Sequence, residues 1–244
     1  MANFFKFGTL LISGQPIKSQ FFELHFEGKT PEITNSEFDK EITWIVVDGK
    51  LVSRRCLLKD ISFRDMEALG LTGPTRIYIN GRTFTMRLPQ VGGDENETGS
   101  EWDSILKAVG TNDATLGWSG VFTWGSEELH DLGGQPAAHA VRGNISPRYW
   151  AFRELGDSRE CGWRPVLEPV NTELRPELIG YEVAVWHGQQ IIYGVLESYN
   201  DYDVWLKYSQ RLFESDGERG QWYTQLGDSK LVIEREKIAA LQLR

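Results

Sequence analysis

Apolar residues run together or alternate with polar ones in two short stretches, each broken by a two-residue turn. Thr43-Trp44-Ile45-Val46-Val47 runs into Asp48-Gly49 and returns at Leu51-Val52. Arg76-Ile77-Tyr78-Ile79 runs into Asn80-Gly81 and returns over Thr83–Leu88. Asp-Gly and Asn-Gly tolerate positive φ at both turn positions, which a tight hairpin matching the strand twist requires. Both stretches therefore predict antiparallel hairpins, and Phe4–Ile12 and Phe21–Phe26 read as further strands. Between Tyr181 and Arg244 six short apolar runs follow one another, with turn residues at His187-Gly188, Asn200-Asp201, Asp216-Gly217 and Gly227-Asp228. That rhythm predicts a small, strongly bent antiparallel barrel whose closure removes exposed edges.

Helical spacing occurs twice. Ser62 can cap a short helix with Asp65 at its third position and Gly70 past its end. Ser100 can cap a second, with Trp102, Ile105, Leu106 and Val109 on one face and Gly110 as terminator. Residues 111–141 carry Gly, Trp and small polar residues without a period and read as ordered loop, since Trp118, Phe122 and Trp124 need burial. Arg142–Pro169 (RGNISPRYWAFRELGDSRECGWRPVLEP) shows neither period. Chain of that kind is expected to be held by side-chain contacts to its backbone rather than by ladders. Asn171–Gly180 reads as a connector with one helical turn. The expected architecture is α+β: a strand-rich extension over 1–60, an irregular domain over 61–170 and a small all-β barrel over 171–244.

Charge and sulfur content narrow the chemistry. A net charge of −9 repels phosphate, so nucleic acid and anionic membrane surfaces are not expected partners. Cys56 and Cys161 are the two cysteines, too few for a disulfide framework or a four-thiolate zinc site. They read as separate reduced thiols of a cytoplasmic protein. The apolar start MANFFKFGTLLISG is interrupted by Lys6 and Gly8 and lacks the layout of a secretion signal. No run is long enough to span a membrane.

Several motifs occur in a fixed order: the Tyr78–Leu88 hairpin, EWDSIL (Glu101–Leu106), a Trp-rich middle, Arg142-Gly143, Arg148-Tyr149-Trp150 and GWRPVLEP (Gly162–Pro169). Together they resemble the formylglycine-generating-enzyme-like (sulfatase-modifying-factor-like) branch of the C-type lectin fold, as found in proteins of Gram-positive bacteria and their phages. The likeness covers roughly residues 60–169 and implies an irregular domain with long ordered loops. Oxidases of that family hold copper through two cysteines. Here only Cys161 lies in the matching region, so the resemblance does not extend to that activity, and no cofactor or metal is expected. Trp163 is expected to plug the core while Arg164 satisfies loop carbonyls. Residues 171–244 resemble an Sm-like or SH3-like barrel. Sm-like rings bind RNA through basic loops, whereas this stretch has eight Lys and Arg against twelve Asp and Glu.

Other chemistries leave few traces. His25, His130, His139 and His187 form no HExxH pair, and His130 and His139 beside Glu127, Glu128 and Asp131 read as a solvated loop. The acidic run Gly92–Gly99 lacks EF-hand spacing, and nucleophile-elbow and phosphate-loop motifs are absent. The expected function is non-enzymatic recognition of a protein partner, for a phage-encoded chain a host protein such as a defence nuclease. The candidate binding residues are Trp118, Trp124, Arg142, Arg148, Tyr149, Trp150 and Arg164, aromatics and arginines being the usual anchors of interfaces. The alternatives are a small ligand or nucleotide in a pocket anchored by Arg142, Arg148 and Arg164, and an RNA-associated Sm-like protein. The barrel is the expected route to a homo-oligomer.

Overall fold

The computed structural model describes residues 3–18, 24–129, 136–211 and 222–244. His130, Asp131, the Asp216-Gly217 turn and the first half of the Phe21–Phe26 strand lie outside the described residues. Strand accounts for 48% of the structure and helix for 11%, arranged as three curled sheets, so the fold is nearly all-β and not the expected α+β. The difference comes from residues 111–169, read as loop. They contain the strands Phe122–Leu129, Ala138–Gly143, Trp150–Glu154, Cys161–Trp163 and Val166–Pro169. Ala138–Gly143 and Cys161–Trp163 are buried at every position. A strand covered on both faces has no polar side to alternate with, and its period-two signal disappears.

The first sheet orders Gln15–Pro16, Phe4–Ile12, Glu41–Val47, Lys50–Ser53, Val166–Pro169, Arg82–Arg87 and Thr75–Ile79, with Pro31–Thr34 also paired to Phe4–Ile12. Both predicted hairpins are present in it. Their turns sit in the left-handed region, Asp48 and Gly49 at φ 48° and 70° and Asn80 and Gly81 at 48° and 80°. The sheet therefore combines strands from residues 4–53 with strands from residues 75–87 and 166–169. The second sheet orders Trp150–Glu154, Ala138–Gly143, Phe122–Leu129, Cys161–Trp163, Leu58–Lys59 and Leu24–His25. Both predicted helices form, Phe63–Ala68 capped by Ser62 and Glu101–Val109 closed by a reciprocal Ser100–Asp103 capping box.

The third sheet orders Tyr223–Gln225, Leu231–Glu234, Asp203–Arg211, Gln190–Tyr199, Glu182–His187 and Ala240–Leu243. Among the described residues it does not close on itself. Instead the connector covers one edge: Thr172 N–H donates to Leu241 C=O, and Leu241 N–H donates to Asn171 Oδ1. The long strand bends beside Gly194, where an added Cβ would meet Leu206 Cβ at 3.1 Å. Val183, Val185, Ile192, Leu196, Val204, Leu206 and Ile233 form a core on one face. Ala184, Trp186, Ile191 and Tyr193 belong to the core of the first sheet, with Trp186 edge-on to Phe84 at 6.0 Å. Gly49 N–H to Gly188 C=O, Gln242 to Thr83 C=O and Arg82 to Tyr193 Oη tie the same seam.

Candidate binding surface

The closing Gly-Trp-Arg-Pro is buried and densely hydrogen-bonded through Arg164. Trp163 is fully buried in the main core, as expected. Arg164, also without exposure, donates Nε–H to Thr123 Oγ1 at 3.0 Å, Nη1–H to the carbonyls of Ser53, Arg54 and Leu116, and Nη2–H to Gly117 C=O. Its planar fork fastens two loops distant in sequence to one strand. Trp124 is buried too and donates to Ile61 C=O. Neither Arg164 nor Trp124 offers surface to a ligand.

Arg142 is turned inward as well. It donates to Val91 C=O and Arg148 C=O, both at 2.8 Å, and Trp150 Nε1–H donates to Gly92 C=O. From the opposite side, Glu127 accepts the N–H groups of Val91 and Gly92. Burial pulls the Arg142 guanidinium below its ordinary pKa against the opposing pull of Asp103 and Glu127. The expected trio of anion-anchoring arginines is therefore not assembled into a pocket: Arg142 and Arg164 serve carbonyls, and Arg148 points to solvent near Asp103, 3.6 Å away.

These contacts hold up the hairpin between Ala138–Gly143 and Trp150–Glu154. Trp102 Nε1–H donates to Pro147 C=O, Asn144 N–H donates to Trp118 C=O, and Trp118 Nε1–H donates to Thr111 C=O. The tip is pinned yet leaves Ile145 70% and Tyr149 40% exposed. From Tyr149 a line of contacts runs across the second sheet. The Tyr149 and Phe122 rings lie 5.9 Å apart, and the Arg153 guanidinium sits over Phe122 at 4.4 Å. Asn144 Nδ2–H donates to Glu160 Oε2 at 2.8 Å, Glu160 N–H donates to Asp60 Oδ1 at 3.0 Å, and Asp60 Oδ2 meets His25 Nδ1 at 2.5 Å. Asp60, Asn144 and Glu160 all adopt left-handed backbone, at φ 55°, 66° and 57°. Such conformations persist in non-glycine residues where surroundings over-determine them, and they gather at functional sites. At the far end Asp60, Arg153, Asp157, Arg159 and Glu160 line a cleft of about 620 Å³.

Of the sequence candidates, the structure brings Trp118, Arg148, Tyr149 and Trp150 to this region. It adds Ile145, Arg153, Asp60, Glu160 and His25, which sequence reasoning missed. The segment Tyr149–Arg153 shows no strand period in the sequence, so nothing there singled out Arg153. Nothing in the sequence links residues 25, 60 and 160, because pairing of Leu58–Lys59 with both Cys161–Trp163 and Leu24–His25 brings them together.

No family model, curated protein or solved structure matches the chain. The described residues contain no helix long and apolar enough to cross a membrane. The copper site of the resembled oxidases can be tested against the two thiols. Sequence separates them widely, yet the fold brings Cys56 against Cys161–Trp163: a Cβ on Gly162 would lie 2.8 Å from Cys56 Sγ. Successive residues of a strand face opposite ways, so Cys161 points to the other side, into the core with Trp163 and Phe122. Burial raises the Cys161 thiol to about 12, and Cys56 Sγ lies 3.6 Å from Thr123 Oγ1. Two thiols on opposite faces of one strand do not fit a shared soft metal, which needs both thiolates converging.

Proposed function

We propose that the chain is a binding protein that recognises a protein partner through the surface running from Ile145 and Tyr149 to the Arg153–Glu160 cleft. The observation that carries this reading is the pinning of an exposed aromatic and aliphatic tip by buried side chains. Ile145 and Tyr149 face solvent on a backbone fixed by Trp102, Arg142 and Trp118. A rigid anchor loses little conformational freedom on association, which is what makes a Tyr an effective hot spot. The net charge of −9 favours a partner with a basic face, since opposite potentials speed encounter.

Affinity capture from cell lysate tests the reading when run in parallel with variants. A partner retained by the wild type is expected to be lost from Ile145→Asp/Tyr149→Ala. It should be kept by Tyr202→Ala, which removes a ring 78% exposed in the turn between two strands of the third sheet. The weakening should reach roughly thirty-fold, the ~2 kcal/mol of one hot-spot aromatic. Equal retention by both variants would refute the assignment of this surface.

A further inference from the structure

The cleft at the end of the second sheet is lined by charges of both signs. Arg153 is fixed by the Phe122 ring at 4.4 Å and by one bond from Nη1 to Phe152 C=O. Among the described residues no carboxylate lies within ion-pair distance of it, and its Nε–H and Nη2–H have no acceptor. Across the cleft, Glu160 is fixed by its left-handed backbone and by Asn144, which binds Oε2 and leaves Oε1 without a donor. The remaining lining charges are occupied: Asp157 takes Arg159 in a two-bond pair, and Asp60 binds His25 and Glu160 N–H. A guanidinium edge and a carboxylate oxygen thus face one cleft of about 620 Å³, a volume usual for small-molecule sites.

We propose that this cleft binds a small zwitterion, with a carboxylate on Arg153 and an ammonium group on Glu160. A simple anion would satisfy Arg153 but stand against three carboxylates. A simple cation would satisfy Glu160 but stand against two guanidinium groups. A molecule carrying both signs pairs with Arg153 and Glu160 at once. The proposal concerns the cleft end of that surface and does not rest on the Ile145–Tyr149 tip.

The test uses the full chain and a graded series: glycine, β-alanine, 4-aminobutanoate and 5-aminopentanoate, each at roughly 10 mM in a thermal-shift experiment. One member of the series is expected to raise Tm by a few degrees and the others less. Its N-acetyl and methyl-ester derivatives, which each remove one charge, should give no shift. Arg153→Gln and Glu160→Gln should each abolish the effect while keeping the wild-type circular dichroism. No response to any member of the series, or an equal response to the blocked derivatives, would overturn the proposal. The blocked-ligand comparison is made on the wild type and needs no variant to fold. Because Tyr149 plays no part in it, this experiment fails or succeeds separately from lysate capture.

Discussion

Replacing Arg164 by alanine is expected to cost at least ~4 kcal/mol and to leave much of the chain unfolded at 37 °C. The side chain is fully buried and satisfies four carbonyls and one hydroxyl from three separate segments. Each carbonyl stranded away from water costs about 1–3 kcal/mol, and partial entry of water into the vacated space limits the sum. Total stabilities of about 5–15 kcal/mol leave little reserve against such a loss. Arg164→Lys should recover only part of it, because an ammonium has three donors on one centre and cannot span the Ser53, Leu116 and Gly117 carbonyls with a planar fork. Urea unfolding followed by circular dichroism measures both variants. An alanine variant within ~1 kcal/mol of wild type would show that the loops at 53–55 and 116–117 are held by something else.

The second large effect is expected at Glu101. Its carboxylate, 6% exposed, accepts two hydrogen bonds from Arg87 at 2.9 Å, one from Lys50 at 3.0 Å and one from Gln90 N–H. Glu168 joins through Arg87 at 2.6 Å, so the EWD helix, the second hairpin and the final strand of the first sheet share one buried network. Glu101→Ala leaves Arg87 and Lys50 with only the more exposed Glu168 and should cost about 3–5 kcal/mol. Acid should reveal the same network. Burial pushes the Glu101 carboxyl up, but the hydrogen bonds and charge of Arg87, helped by Lys50, carry it below the usual carboxylate range. For Glu168 the Arg87 hydrogen bond is the main cause of a downward shift. Both folded-state values lie below the unfolded ones. Their contribution is therefore complete above the unfolded pKa of roughly 4.3 and is lost as pH falls through the folded values. The stability gap between wild type and Glu101→Gln should be constant from pH 7 to about 5 and shrink below pH 4. A gap that widens with acid would contradict the network.

What was legible in the sequence was local. Asp48-Gly49 and Asn80-Gly81 announce hairpins because few other pairs tolerate two positive φ values, and Ser62 and Ser100 announce helices because their hydroxyls accept the first free N–H groups. The fold class was not legible, because Ala138–Gly143 and Cys161–Trp163 are covered on both sides and carry no alternation. The roles of Trp163 and Arg164 were readable from chemistry, since an Arg beside a core Trp has donors to place. Arg142 has an equally plausible sequence context for ligand binding, and only the fold shows it bonded to Val91 and Arg148. The cleft was invisible because Asp60, Arg153 and Glu160 meet only through pairing among strands distant in the chain.

The fold class, the role of Arg164 and the rigidity of the Tyr149 tip all depend on residues 138–163 being woven into the second sheet. Native-state amide hydrogen exchange read by mass spectrometry measures that directly. Peptides covering Ala138–Gly143 and Cys161–Trp163 should exchange with the protection of the sheet core, at least ~10³-fold slower than free peptide, or about 4 kcal/mol of opening energy. Exchange of those peptides at the rate of exposed loops would contradict the account.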